Sequence, residues 1–152
     1  MNLDLLYEAT ELTGNPKYAK IATRQAEVSS TTHVRKDYGT YHVVNFDQKT
    51  GEATEWVTHQ GSSSVFRGYL DMRDTDNCIG YADESVWARG QAWGIYGYAQ
   101  CGTSFNWYQA DRKALRTGRE DFAEISRKLA DRFLDLLPES GVPWWYVYNF
   151  TF

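Results

Sequence analysis

Residues 3–29, LDLLYEATELTGNPKYAKIATRQAEVS, decide how the chain is read. Leu5, Leu6, Ala9 and Leu12 recur at helical spacing until Thr13-Gly14 breaks the run. Asn15-Pro16 restarts it, because a proline in the first turn of a helix gives up only an N–H that has no partner there anyway. Tyr18, Ile21, Ala22 and Val28 then mark one face of a second helix, to about Ser29. The stretch predicts a helical hairpin. The same grammar returns near the other end. Thr117-Gly118 is followed by Glu120, giving a T-x-x-E capping box, and by Phe122, Ile125, Leu129, Phe133 and Leu136 before Pro138 ends the pattern. Glu124 and Lys128 add a favourable i,i+4 pair. Counted from each Thr-Gly, Tyr18 corresponds to Phe122, Ile21 to Ile125 and Ala26 to Ala130. Repeated helical hairpins stack or close into rings, since one hairpin cannot bury its own apolar face. Two hairpins are few for either, so the sequence reads as part of something larger.

Between the copies the period changes. Tyr41 to Phe46 and Glu55 to Thr58 flank the turn-rich DQKTGE, which predicts a small β-hairpin carrying His42 beside Tyr41 on a strand. Helical spacing resumes after Asp83-Glu84-Ser85, with Ala88, Ala92, Tyr96 and Ala99 on one face. Gly90, Gly94 and Gly97 form a neighbouring stripe; each weakens a helix by about 1 kcal/mol relative to alanine, which predicts close backbone approach to another helix in return. Residues 62–79 and 101–116 have neither clean periodicity nor turn chemistry.

Composition excludes several classes. At 152 residues the chain has room for one domain. Six Trp, eleven Tyr and seven Phe supply apolar area that the modest aliphatic share does not, and a net charge of −4 is too small for a disordered chain. A pI of about 5.3 argues against a general nucleic-acid binder. No stretch approaches a membrane span, and the acidic N-terminus lacks a signal-peptide pattern, so cytoplasmic residence is the default expectation. Cys78 and Cys101 read as thiols rather than a disulfide. His33, His42 and His59 have no zinc spacing, and Asp71, Asp74 and Asp76 lack the glycine and closing glutamate of a calcium loop.

The stretches MNLDLLYEATELTGNPKY, YHVVNFDQKTGE, THQG and GYADESVWARGQAWGIYGYAQ together resemble glycoside hydrolase family 88, the unsaturated glucuronyl hydrolases. TGREDFAEISRKLADRFLDLLPESGVPWW resembles the family's next helix and loop. The resemblance implies an all-α fold, a fragment of an (α/α)6 barrel built of αα-hairpins with one small β-hairpin. It implies a hydrolase that removes a terminal 4,5-unsaturated glucuronic acid from oligosaccharides released by lyases. In that chemistry an aspartic acid protonates the C4=C5 vinyl ether, water adds at C5, and the resulting hemiketal opens to release the sugar. No metal or organic cofactor is implied, and the partner is an unsaturated uronic-acid oligosaccharide. A related family acting on unsaturated rhamnogalacturonan products shares barrel and chemistry; THQG and WARGQAW favour the glucuronyl substrates.

Carried onto this chain, the family's substrate-binding positions are His42, Gln60, Trp87, Arg89 and Trp93. A planar anionic sugar needs an aromatic platform, which Trp87 and Trp93 can supply, and a cation for its carboxylate, which Arg89 can supply. Gln60 and His42 can bond hydroxyls or water. Arg89 and Trp93, four apart, share a helix face. Read without the family, the tryptophans are core residues, Arg89 a solvated charge and His42 a structural histidine. Asp83 and Glu84 favour a helix N-terminus through its dipole. Trp144-Trp145 reads as a loop packed under the barrel end, with sugar contact as the alternative.

The family's catalytic aspartate is expected upstream of Met1 and a second acid further upstream, so this chain carries neither, and about half the hairpins have no counterpart. Residues 62–79 and 101–116 interrupt the family pattern, and 146–152 (YVYNFTF) depart from it. They are expected to be translated non-coding sequence; the rival reading makes them genuine loops of a degenerate uronic-acid binder. A fragment without function is the third reading.

Overall fold

A computed structural model describes residues 3–57, 85–102 and 117–147. Helix α1 (Leu3–Thr13) and helix α2 (Lys17–Thr32) form the first hairpin; strands β1 (Val43–Phe46) and β2 (Ala53–Val57) follow. Strand β3 (Val86–Trp87) runs directly into helix α3 (Ala88–Gly102), which pairs with helix α4 (Glu120–Asp135); strand β4 (Tyr146–Val147) returns to β3. The repeat is visible in the backbone. Gly14 at φ 70° and Gly118 at φ 60° make both Thr-Gly turns in the left-handed region that glycine enters without steric penalty. The Gly14 N–H closes the first by donating to the Thr10 carbonyl at 2.8 Å.

The main core joins the two hairpins. Leu3 and Tyr7 of α1, Ala22 and Ala26 of α2, Tyr98 and Cys101 of α3, and Phe122 and Leu129 of α4 pack together. Two hydroxyls are satisfied within it: Tyr7 shares a hydrogen bond with Thr23 at 3.0 Å, and Tyr98 donates to the Ala26 carbonyl at 3.2 Å. Burial pushes the Tyr7 phenol up to about 12 and raises that of Tyr98 as well.

Several helix faces differ from expectation. In α1 the packed face is Leu3, Tyr7 and Thr10, while Leu5 and Leu12 are 68% and 75% exposed. Thr10 is buried because its hydroxyl accepts from the Ala19 N–H at 2.8 Å and donates to the Leu6 carbonyl at 3.2 Å. In α3 burial divides both stripes: Gly94, Gly97 and Ala88 are buried and Gly90 half-buried, whereas Ala92 and Tyr96 are exposed. Gly94 faces the Leu129 side chain, where an added Cβ would lie at an ordinary contact distance of 3.4 Å from Cδ1, so the approach there is not close enough to require glycine. The capping box does not form. Thr117 donates instead to the Cys101 carbonyl at 2.6 Å, capping the end of α3, and α4 begins only after an extended Arg119. Asn15 does cap α2, its Oδ1 accepting from the Lys17 N–H at 3.0 Å. The Phe122 to Leu136 pattern and the Glu124–Lys128 pair, at 3.4 Å, are as expected.

Helix α3 runs through Cys101 and Gly102, the first two residues of the second aperiodic stretch. A Cβ on Gly102 would lie 2.5 Å from the backbone nitrogen of Ala123 and 2.9 Å from its Cα. Backbone cannot yield as a flexible side chain can. Gly102→Ala is therefore expected to destabilise the fold by about 1–3 kcal/mol through overpacking, more than the propensity gain at a helix end returns. A lowered thermal midpoint checks this; an unchanged or raised one contradicts the close contact.

The β-hairpin pairs Val43 with Val57 and Val44 with Trp56, with an irregularity at Asn45/Phe46. Its turn is built by Asp47, whose Oδ1 accepts from the N–H groups of Lys49 and Thr50 at 2.8 Å each, and those bonds hold its carboxyl below the usual range. Trp56 ties the hairpin to α2 by donating to the Thr32 carbonyl at 2.9 Å. His33, next to that carbonyl, is half-buried beside Phe46, and burial lowers its pKa from 6.5. The unfolded chain therefore binds a proton at His33 where the folded chain does not. Stability is expected to fall as pH drops below 6.5, and His33→Asn to flatten that slope; equal slopes in denaturant titrations of the two proteins would contradict it.

Candidate functional site

The site grows from the junction of β3 and α3. Two backbone ties fix that junction to the segment after α2. Arg35 donates through Nη2 to the Ser85 carbonyl at 2.7 Å. Gln91, fully buried one turn into α3, donates to the carbonyls of Tyr38 at 2.8 Å and Leu129 at 3.0 Å. Tyr38 has φ 61°, an uncommon conformation for a residue with a side chain. Gln91 holds its carbonyl and Lys128 its hydroxyl, the latter at 3.1 Å. The chain from His33 to Tyr41 is thereby held against α3 and delivers His42 to the start of that helix.

His42 precedes β1 rather than lying on the strand, and its ring stacks on Trp87 at 4.2 Å with the planes 9° apart. Trp87 meets Trp93 edge to face at 5.2 Å and 85°. The Arg89 guanidinium lies over three indoles, 4.6 Å from Trp87, 5.5 Å from Trp93 and 5.3 Å from Trp145. Each such contact is electrostatically favourable to a cation. Among the described residues no carboxylate pairs with Arg89. Four of the five positions singled out in the sequence thus meet. Gln60 lies outside the described residues, as do Asp83, Glu84, Cys78 and the Asp71–Asp76 run.

Two further members read chiefly as packing residues in the sequence. Gly90 reads there as a helix-packing glycine, but a Cβ on it would lie 2.7 Å from Cε3 of Trp87. It is the bare position that lets the Trp87 ring fold back across the first turn of α3, and its spacing of three from Trp87 was the available signal. Trp145 is the other. Its carbonyl accepts from the Ala88 N–H at 3.1 Å, and Trp87 and Val86 pair with Tyr146 and Val147, so this loop is fastened to the helix start that presents Arg89. Tyr146 and Val147 are the first two residues of the divergent tail.

No family model matches the chain. The unsaturated glucuronyl hydrolase of Bacillus sp. (strain GL1) is 34% identical over 145 residues, covering 95% of this chain and 30% of that protein. The unsaturated chondroitin disaccharide hydrolase of Streptococcus agalactiae is 33% identical over 145 residues, covering 95% and 29%. The crystal structure of the Bacillus sp. GL1 enzyme superposes with a TM-score of 0.68, again over 95% of this chain and 30% of the other. The curated homologues are unsaturated glucuronyl hydrolases. The chain spans about 30% of the length of the glucuronyl hydrolases it matches. Their fold is the (α/α)6 barrel, and the helical hairpins with a small antiparallel β-hairpin described here are consistent with a piece of it.

Chemically, the cage can hold a planar anion. A guanidinium resting against indole faces yet open to solvent is pre-oriented, so less rotamer freedom is lost when a carboxylate docks. None of His42, Trp87, Arg89, Trp93 and Trp145 is a carboxylic acid. Proton donation to a vinyl ether is outside the repertoire of the tryptophans and the arginine. Among the described residues no group of His, Cys, Asp and Glu is placed to hold a metal ion.

Proposed function

We propose that this chain carries the uronate-holding part of an unsaturated glucuronyl hydrolase site. The observation that carries the reading is the exposed Arg89 guanidinium, flanked by Trp87, Trp93 and Trp145 with no carboxylate partner among the described residues. The unsaturated uronic ring is flattened by its C4=C5 bond and bears a carboxylate on C5. Arg89 receives that carboxylate in a bidentate pair, an indole face receives the ring, and His42 with Gln60 bonds its hydroxyls or the water that adds at C5. The names of the relatives, a glucuronyl hydrolase and a chondroitin disaccharide hydrolase, support a terminal unsaturated glucuronic acid on a disaccharide or longer glycan as the ligand.

The reaction of the parent enzyme balances as one water consumed. A proton adds to C4 and hydroxide from water to C5, the hemiketal opens, and the aglycone leaves as an alcohol. Since these residues bind rather than protonate, the chain is expected to bind an unsaturated glucuronyl disaccharide without consuming its double bond. Calorimetric titration, with the ultraviolet absorbance of the double bond followed in the same sample, tests this. Absence of binding overturns the proposal; loss of the double bond overturns its non-catalytic part. We keep residues 62–79, 101–116 and 146–152 as proposed interruptions of the family pattern, to be read directly from the transcript.

A further inference from the structure

The two helices of the first hairpin carry opposite charge. Helix α1 has the acids Asp4, Glu8 and Glu11 and no base, whereas α2 has Lys17, Lys20 and Arg24 against the single acid Glu27. Among the described residues Glu8, Glu11, Lys17 and Lys20 form no ion pair. Both sets of charges border uncovered apolar surface. On α1, Leu5 and Leu12 share one exposed face, with Glu8 and Glu11 along its edge. On α2, a groove of about 770 Å³ runs between the helix and Phe46 of β1, lined by Lys17, Lys20, Ile21, Arg24 and Val28. Ile21 and Phe46 are exposed there too. Large apolar side chains left uncovered in one groove mark an interaction surface, and the three cations on its wall call for an acidic occupant.

We infer that α1 of one copy docks in the α2–Phe46 groove of a second copy, its acidic edge against the cations and its leucines against Ile21, Val28 and Phe46. The lengths agree: α1 has 11 residues and so measures about 16 Å, and Lys17 to Val28 along α2 spans about the same. The α1 of the same copy cannot fill the groove, because its opposite face is held on α2 by the Tyr7–Thr23 and Thr10–Ala19 hydrogen bonds. The two surfaces share no residue, so a copy whose groove is filled still presents its own α1. The contact is heterologous, and copies can add head to tail. None of His42, Trp87, Arg89, Trp93 and Trp145 lies on either surface, so the inference stands apart from the uronate reading.

Sedimentation velocity of the whole chain over a range of concentrations tests this. The average mass is expected to rise above 17.5 kDa with concentration, and the association to weaken as added salt screens the charges. Glu8→Lys with Glu11→Lys sets like charges face to face, as does Lys17→Glu with Lys20→Glu. Each double variant alone should self-associate roughly tenfold more weakly than the unaltered chain. An equimolar mixture of the two should recover the association, since the altered α1 of one then meets the altered groove of the other. Leu12→Ser, at an exposed position, removes apolar area without touching a charge and should weaken association as well. Unaltered circular dichroism keeps the variants comparable. A chain that stays monomeric throughout overturns the inference, as does association unmoved in either double variant. A mixture that associates no more strongly than its components overturns it too.

Discussion

Arg89→Ala is expected to weaken binding of an unsaturated glucuronyl disaccharide roughly 30- to 150-fold, the equivalent of about 2–3 kcal/mol for removing the charged partner of a carboxylate. The effect is large because the guanidinium is the charged partner and three indole faces, at 4.6, 5.5 and 5.3 Å, hold it in orientation. Arg89→Lys retains the charge but loses the planar fork and its stacking, and is expected to fall about tenfold short of the native affinity. Calorimetry on the three proteins decides it. Equal affinities would mean that the cage is a packing device and the carboxylate is held elsewhere.

Phe122→Ala is expected to destabilise the fold by about 3–5 kcal/mol, a large share of the roughly 5–15 kcal/mol that holds a domain together. Phe122 is 1% exposed, its ring tilted against that of Tyr98 with centroids 5.9 Å apart. The Arg119 guanidinium covers it from 4.2 Å, and Arg119 also joins α4 to α2 through Glu27. Truncation removes the contact at the seam between the two hairpins, where neither α2 nor α4 can move without disturbing the other. Urea titration should show the midpoint fall sharply, whereas Leu134→Ala, at a position 62% exposed, should stay within about 0.5 kcal/mol of the parent. Similar midpoints for the two variants would place the core elsewhere.

The packed face of helix α4 was legible because Phe122, Ile125, Leu129, Phe133 and Leu136 follow one helical stripe. In α1 the leucines mark an apolar face but periodicity does not say what covers it, and packing selected Tyr7 and Thr10 through hydrogen bonds to α2. In α3 the packed face carries Gly94 and Gly97, but only at the helix end, where a Cβ on Gly102 would meet the Ala123 backbone, is the neighbour so close that glycine alone fits. The capping box at Thr117 fails because the helix starts only at Glu120, after an extended Arg119, which leaves Thr117 outside the capping position and its hydroxyl donating to the Cys101 carbonyl, sixteen residues away. The site divides in the same way. His42, Trp87, Arg89 and Trp93 were legible from motif strings and the i,i+4 spacing. Trp145 enters through a backbone bond across more than fifty residues, and Gly90 through the shape of a single ring. No local pattern encodes the first contact, and only the spacing of three from Trp87 hints at the second.

The crowding of indoles around one cation has an optical consequence. Four of the six tryptophans, Trp87, Trp93, Trp144 and Trp145, stand in or beside the cage. The perpendicular Trp87–Trp93 pair, with centroids 5.2 Å apart, is close enough for its electronic transitions to couple, and coupled chromophores in a fixed chiral arrangement give a paired positive and negative circular dichroism signal. That signal depends on the mutual angle of two rings and disappears when they rotate independently. The chain thus carries an unlabelled spectroscopic gauge of whether its cage is assembled, readable on the protein without any ligand.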